Sequence, residues 1–176
     1  METCYIWMPS PVGRLLLVAD DEGLLEIAFG EGRTAPVVGD SWVDQARTCG
    51  GALLREPMRQ LEAFFAGELR DFDLPLKPRG TVFQQRVWKL LREIPFGETI
   101  SYGELARRAG NPAASRAVGL ANGSNPIAIV IPCHRVIGSN GKLTGYGGGL
   151  ENKRWLLDFE RGRLFGQHLM DELHSH

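Results

Sequence analysis

A cysteine, a histidine and an arginine follow one another at the end of an apolar run, in "IVIPCHRVI" at residues 129–137. A cysteine acts as a nucleophile in its thiolate form, and neighbouring cations favour that form by lowering the thiol pKa. Since His134 and Arg135 come directly after Cys133, we expect a lowered thiol pKa. A lone cysteine is more often a small buried hydrophobe, but this context favours nucleophilic chemistry at Cys133.

A cysteine nucleophile of this kind needs a base and a group that orients the base. If residues 133 and 134 are extended, their side chains point to opposite faces of the chain, so His134 would act through a water or after a bend at Pro132. Glu160, which follows the apolar stripe of the last predicted helix, is a candidate to orient the imidazole.

The segment before this motif predicts helices around a tight turn. "TVFQQRVWKLLREI" has the N-cap candidate Thr81 and an apolar stripe of helical spacing. Ser101, three residues before Glu104, predicts a capping box at the start of a second helix. Gly110-Asn111-Pro112 then turns the chain into a third, so that the second and third helices form a helix-turn-helix pattern.

The third helix, "AASRAVGLANG", is rich in alanine and glycine and has one long cation, Arg116. A helix that reads base edges in the major groove usually carries several Arg, Asn or Gln side chains. A helix with a small face allows close approach to a phosphate backbone or a minor groove, with one inserted side chain. The pattern favours recognition by shape, with little sequence preference.

The other elements have simpler signals. Residues 127–131, "IAIVI", predict a short buried strand, and "ENKRWLLDFERG" predicts a closing helix with Trp155, Leu156 and Phe159 on its apolar face. The glycine-rich loop between them has neither of the common phosphate-binding glycine patterns.

The first half of the chain has a different pattern. "CYIWM", "RLLLVAD" and "LLEIAF" predict antiparallel strands, and residues 53–66 predict an amphipathic helix packed on their sheet. Pro75 and Pro78 suggest a boundary, so we divide the chain into an N-terminal domain at 1–78, a C-terminal domain at 79–165 and a tail at 166–176.

Charge separates the two halves more sharply than the net charge of −1 suggests. Residues 1–78 carry 7 Lys/Arg against 13 Asp/Glu, whereas residues 79–163 carry 13 against 6, which suits a polyanionic partner. The three cysteines have no C-x-x-C spacing, and we expect the three histidines of the tail to be solvated, so we predict no metal and no cofactor. No secretory signal or membrane span is evident, and we expect a cytoplasmic protein, or a nuclear one in a eukaryote.

These motifs resemble the O6-alkylguanine-DNA alkyltransferases over roughly residues 81–160. The matching segments are "FGETISYGELA", "NPAASRAVG", "NPIAIVIPCHRVI", "GYGGG" and "KRWLLDFE". The resemblance implies an α+β fold, with a small N-terminal antiparallel sheet domain of ribonuclease H-like type packed on a mainly helical C-terminal domain with a helix-turn-helix. It also implies flipping of O6-alkylguanine out of duplex DNA and irreversible transfer of the alkyl group to Cys133.

The resemblance assigns further roles. His134 acts as the base through a bound water, Glu160 orients its imidazole, and Tyr102 pushes the 3′ phosphate and donates a proton to the leaving guanine. The residues expected to contact the base or the DNA are Arg116, which enters the base stack, the hinge residue Asn125, the pocket residues Val136, Tyr146 and Gly147, and also Ser101 and Arg135. The expected partner is double-stranded DNA, bound by a monomer mainly through the minor groove; cooperative binding and acceptance of O4-alkylthymine stay open.

One position departs from the pattern, and two other functions remain open. Gly147 stands where some relatives have a serine, which predicts a roomier pocket that accepts larger O6-adducts. A cysteine hydrolase using Cys133, His134 and Glu160 would regenerate itself and show burst kinetics. A non-catalytic binder of alkylated DNA would resemble the family but lack the cysteine, so Cys133 argues against it.

Overall fold

The computed structural model describes residues 2–32, 35–45, 52–143 and 145–163. Within them the strands are β1 (Cys4–Met8), β2 (Leu15–Asp20), β3 (Gly23–Phe29), β4 (Val43–Asp44), β5 (Ile100–Ser101) and β6 (Val136–Ile137). The helices are α1 (Ala52–Phe65), α2 (Val82–Leu91), α3 (Tyr102–Arg108), α4 (Ser115–Gly123) and α5 (Leu150–Glu160), with short 3₁₀ turns at Pro112–Ala114 and Cys133–Arg135. No helix in these ranges is long and apolar enough to cross a membrane.

The N-terminal sheet has the strand order β3-β2-β1-β4. The β1–β2 and β2–β3 pairs are antiparallel, which confirms the three strands predicted from the short apolar runs of the first half. β4 joins the other side of β1 in parallel, so the sheet is mixed. β4 was not predicted, because a strand of two residues has no readable period.

Helix α1 packs on this sheet and connects it to the second half. Leu54, Leu61 and Phe64 of α1 are fully buried. The ring of Phe64 lies 5.9 Å from that of Phe96 and 5.4 Å from that of Phe159. Because Phe96 and Phe159 belong to the second half, the two halves share one continuous core.

The C-terminal helices begin where their capping residues predict. Thr81 and Gln84 form a complete capping box on α2. At α3, Ser101 accepts a hydrogen bond from the Glu104 amide at 3.0 Å, but the Glu104 carboxylate pairs with Arg107 and Arg108 instead of completing a box. Helices α3 and α4 follow each other across the Pro112–Ala114 turn, as the helix-turn-helix pattern predicts.

The prediction of a strand at residues 127–131 is wrong, although all five residues are buried. Ile127 makes an isolated bridge to Ile27 of β3, and the chain then folds back on itself, with Ile129 at a φ of 73°. The amide of Ile131 bonds the carbonyl of Ile127 at 3.0 Å. An apolar run with branched side chains favours a strand, but here local hydrogen bonds replace those of a ladder.

Candidate active site

Cys133 lies in the 3₁₀ turn that follows this fold-back, directly after Pro132. It is 7% exposed and lines a cavity of about 160 Å³ with Asn125, Tyr146 and Gly147. Of the two arrangements considered from the sequence, an extended pair and a bend after Pro132, the structure has the bend. A 3₁₀ turn does not send successive side chains to opposite faces as a strand does.

Two asparagines hold the turn that presents Cys133. The side chain of Asn125 donates to the carbonyl of Ile131 at 2.7 Å and accepts from the amide of Ile127 at 3.0 Å, so it closes the buried fold-back at both ends. The position of Asn125 agrees with the hinge role that the resemblance implies. Asn122 donates to the carbonyl of Cys133 itself at 3.4 Å, a contact that sequence reasoning missed because Asn122 was counted with the small residues of α4.

His134 and Glu160 form a fully buried pair. Nε2 of His134 lies 2.8 Å from Oε2 of Glu160. Burial raises the pKa of Glu160, but its bonds to His134 and Arg135 outweigh that effect and lower the pKa to about 2. A carboxylate only accepts hydrogen bonds, so Nε2 carries the proton and Nδ1 of His134 has a free lone pair. Nδ1 has no hydrogen-bond partner among the described residues.

The same carboxylate holds Arg135. Nε and Nη2 of Arg135 donate to the two oxygens of Glu160, each at 2.8 Å, and Nη1 donates to the carbonyl of Ile94 at 2.7 Å. The side chain of Arg135 is 7% exposed. These three hydrogen bonds use three of the five N–H donors of its guanidinium group. The expectation that Arg135 contacts DNA therefore needs correction, because its charge is buried against Glu160.

Lys153 of α5 is the main residue that sequence reasoning missed. It is fully buried, and its Nζ donates to the carbonyl of Val136 at 2.7 Å. Its charge also lowers the pKa of Cys133. A signal was present, since Lys153 falls on the buried stripe of α5 with Leu156, Leu157 and Glu160, where a charged residue needs a partner.

Burial decides the resting state of the thiol. Burial raises the pKa of the Cys133 thiol, and the opposing effects of Asn125, Tyr146 and Lys153 do not cancel it. Burial likewise lowers the pKa of His134 in spite of Glu160. The expected lowering of the thiol pKa is thus corrected: the resting pair is a neutral thiol and a neutral imidazole.

The predicted pocket residues occupy three different places. Tyr146 is buried and packs edge-to-face on Phe29, with 5.6 Å between the ring centroids. Val136 is fully buried in the core, and its carbonyl accepts a hydrogen bond from Lys153. It is not among the residues that line the cavity, so the expectation of a pocket residue at this position needs correction. Gly147 is exposed at the cavity mouth, and a Cβ added there would meet no atom within 4 Å.

A wide depression on the surface adjoins this cavity. We call its lining residues the cavity rim; they are Gly119, Leu120, Gly123, Ser124, Gly145, Tyr146 and Gly147. Leu120 is 72% exposed and lies one helical turn after the exposed Arg116 on α4. The outer face of α4 therefore has one large apolar side chain beside its cation, which the alanine-rich pattern concealed.

Tyr102 and Ser101 lie at the start of α3. Tyr102 is half-buried, and its ring centroid is 5.9 Å from Nζ of Lys153, which places it between the buried site and the surface. The hydroxyl of Ser101 caps α3 by accepting the hydrogen bond from the Glu104 amide. This contact is within the protein, and the expected contact of Ser101 with DNA stays a prediction. Among the described residues, no group of three or more His, Cys, Asp or Glu is placed to hold a metal ion; the tail histidines lie outside those residues.

Both halves of the chain match models of a known protein family. Residues 3–78 match a family model described as the ribonuclease-like domain of 6-O-methylguanine DNA methyltransferase, and residues 82–162 match the DNA binding domain of the same family. A methylated-DNA–protein-cysteine methyltransferase of Methanosarcina acetivorans is 56% identical over 156 residues, which cover 89% of this chain and 97% of that protein.

Solved structures agree with the sequence matches. The Mycobacterium tuberculosis O6-methylguanine methyltransferase superposes with a TM-score of 0.82 at 51% identity, over 92% of this chain and 94% of that one. A structure of the M. tuberculosis protein in complex with DNA gives a TM-score of 0.81 at 51% identity, over 91% and 94% of the two chains.

Proposed function

Because the chain belongs to the 6-O-methylguanine DNA methyltransferase family, and is therefore a DNA-repair protein that transfers alkyl groups from DNA to a cysteine, we propose that Cys133 is the acceptor. The observation that carries this proposal is a buried thiol that lines a cavity. The next residue in the chain, His134, is also buried and pairs with Glu160. The other free cysteine among the described residues, Cys4, is buried in β1 and does not line this cavity.

The first chemical step is removal of the thiol proton. His134 offers the lone pair of Nδ1, and the proton passes to it through a bound water, as the resemblance implies. The resulting imidazolium is stabilised by the Glu160 carboxylate at 2.8 Å, which Arg135 keeps ionised and in place. Since the neutral thiol is the resting form, the nucleophile forms only when this transfer occurs.

Alkyl transfer then joins the sulfur to the alkyl carbon and breaks the bond between that carbon and O6 of guanine. The positive charge of Lys153 stabilises the thiolate before attack. The guanine takes up a proton as it leaves, and Tyr102 is the proposed donor. The proton held by His134 then passes to Tyr102 and restores its hydroxyl group. The net change replaces the thiol proton with an alkyl group and returns one proton to guanine.

The product explains why the reaction occurs once per protein molecule. An alkyl thioether is not cleaved by oxygen nucleophiles under these conditions, and no second thiol lies beside Cys133 among the described residues that line the cavity. Alkylated Cys133 therefore stays alkylated, and the protein is consumed in stoichiometric amounts.

The location of Cys133 requires the damaged base to leave the duplex. The cavity is closed by packed protein on the side of the core, so a stacked base cannot reach the sulfur. Rotation of a base out of the stack costs a few kcal/mol and is easier for a weakened pair. We propose that the rim admits the rotated O6-alkylguanine and that Arg116, exposed on α4, fills the gap left in the stack.

The outer face of α4 supports binding in the minor groove with little sequence preference. Its exposed residues include Ala117 and Gly123, which allow close approach to the sugar-phosphate backbone, and Arg116 is its one long cation. Residues 79–163 supply the matching positive charge.

We further propose that the protein acts as a monomer and that the boundary between its two domains lies between residues 78 and 79. The proposed location is the cytoplasm or, in a eukaryote, the nucleus.

The proposal is tested by the intact mass of the protein after incubation with duplex DNA that contains O6-methylguanine. We expect a gain of one methyl group, saturating at one per protein, located on Cys133 by peptide mapping and absent from Cys133→Ala. Tight binding to the lesion without a mass change would leave a damage-recognition protein and overturn the catalytic role of Cys133.

A further inference from the structure

One wall of the Cys133 cavity comes from the N-terminal sheet. Strand β3 is one of the two edge strands of that sheet, and the buried fold-back binds to it. The amide of Ile27 donates to the carbonyl of Pro126 at 2.9 Å, and the amide of Ala128 donates to the carbonyl of Ile27 at 3.1 Å. This docking makes residues 26–29 part of the cavity lining, together with Cys133 and Tyr146.

Glu26 is the acidic residue of that wall. Its side chain is half-buried, and burial raises the pKa of its carboxyl group, with no cation or hydrogen bond acting against it. The other buried carboxylates differ, since Asp20 pairs with Lys77 and Glu160 pairs with Arg135. Within the described residues, Glu26 has no ion pair or hydrogen bond, although it borders the cavity that receives the substrate.

A charged residue on an edge strand often serves to prevent pairing with another chain. That explanation does not fit Glu26, because residues 126–128 already cover the adjacent edge of β3 through the two hydrogen bonds at Ile27. The carboxylate also gains no protein partner there among the described residues, although partly burying a charge costs free energy. Its position is better explained by what enters the cavity.

We propose that Glu26 is a specificity residue that selects O6-adducts by charge, disfavouring anionic groups such as carboxymethyl relative to neutral groups such as methyl. The proposal rests on the function proposed for Cys133, because it assigns the cavity to the alkylated base. Two negative charges that border the same partly buried cavity repel each other, and repulsion equivalent to one pKa unit changes a rate about tenfold.

The first experiment compares single-turnover transfer from duplexes that contain O6-carboxymethylguanine or O6-methylguanine. In Glu26→Gln, which keeps the size and removes the charge, we expect the carboxymethyl-to-methyl rate ratio to rise about tenfold. In the matched control Glu31→Gln, an exposed glutamate just after β3 that does not line the cavity, the ratio should equal that of the wild type. A ratio in Glu26→Gln within twofold of the wild type, including equal acceleration of both substrates, would overturn the proposal.

A second experiment needs no DNA and separates this proposal from the proposed function. Iodoacetate and iodoacetamide carry the same leaving group but differ in charge, and both alkylate thiols. With Cys133 followed by peptide mapping, we expect Glu26→Gln to raise the iodoacetate-to-iodoacetamide ratio about tenfold, and Glu31→Gln to leave it unchanged. If transfer from DNA fails while this ratio rises, the proposed function is wrong and the charge selection stands; an unchanged ratio contradicts the role of Glu26.

Discussion

The buried cluster of Cys133, His134, Arg135, Lys153 and Glu160 and the cavity rim beside it are built in opposite ways. In the cluster, the ionic side chains hold one another or a backbone carbonyl at 2.7 to 2.8 Å. The rim consists largely of glycines, with an exposed leucine. The buried cluster is therefore held in one arrangement by its own contacts, whereas most of the rim offers backbone and small side chains with few contacts of their own. If the proposed roles hold, the groups for the chemistry are in place before DNA binds, and the rim gains most of its contacts from DNA.

The largest expected effect comes from removing the central charge of the buried cluster. Glu160→Gln leaves Arg135 buried without its counter-charge, and breaking a buried ion pair in this way costs about 3–5 kcal/mol. We expect the free energy of unfolding in urea to fall by that amount and transfer to Cys133 to slow strongly, because His134 loses the group that stabilises its protonated form.

Glu104→Gln is the matched control for this variant. The pKa of Glu104 is also lowered to about 2, by its bonds to Arg107 and Arg108, but these residues lie at the protein surface. We expect its unfolding midpoint to stay close to that of the wild type, since solvent screens surface pairs. Equal losses in the two variants would remove the distinction between a buried, preorganised cluster and its surroundings.

Lys153→Met tests whether the cluster prepares the thiolate. The charge of Lys153 lowers the pKa of the Cys133 thiol, and one pKa unit corresponds to a tenfold change in the thiolate fraction. We therefore expect alkylation of Cys133 at neutral pH to slow about tenfold. The pH profile should move to higher pH, because the pKa of Cys133 rises further without this charge. Lys89→Met, at an exposed site on α2, should keep the wild-type profile. A slower rate with an unmoved profile would give Lys153 a purely structural role.

The pH dependence of stability reports on His134. Its pKa in the folded protein lies below the ordinary value of 6.5 because it is buried, so below about pH 6.5 the unfolded chain binds a proton that the folded protein does not. Stability should therefore fall as the pH drops from 6.5 to 5.5, by at most about 1 kcal/mol, the limit for one proton over one pH unit. The contribution of Glu160 has a lower window, being complete above its ordinary pKa of 4.5 and lost as the pH falls towards about 2.

Unfolding free energies measured in urea between about pH 8 and 5 test this prediction. The decline between pH 6.5 and 5.5 should be smaller in His134→Gln, which cannot take up the proton. An identical slope in both proteins would assign the decline to other groups and show that His134 is not held neutral by the fold.

The sequence predicted much of this arrangement, and each miss has a physical reason. Cys133, His134 and Glu160 were predicted from residue type and position on helix and strand patterns, but those patterns carry no information on backbone hydrogen bonds that are made locally. Residues 127–131 were therefore predicted as a strand although they fold back. Arg135 was predicted as a DNA contact because the sequence does not show that Glu160, 25 residues later, lies within hydrogen-bond distance of it. Glu26 could not be found, because β3 reaches the cavity only through tertiary docking.

The smallest expected effect is at the rim, where Gly147→Ser tests the prediction of a roomier entrance. An added Cβ at Gly147 meets no atom within 4 Å, whereas one at Gly148 would collide with Phe29 and Tyr146. We therefore expect Gly147→Ser to keep the wild-type unfolding midpoint and Gly148→Ala to lower it, since overpacking costs about 1–3 kcal/mol.

The serine side chain introduced by Gly147→Ser would narrow the entrance and offer a donor to the base, so large adducts should suffer most. We expect the benzyl-to-methyl rate ratio, measured with duplexes that contain O6-benzylguanine or O6-methylguanine, to fall a few-fold in this variant. Because the side chain fits without strain, a changed ratio at unchanged stability would assign the selection to the rim alone. The same ratio in both proteins would mean that the buried walls, and not the rim, set the size of the adduct that is accepted.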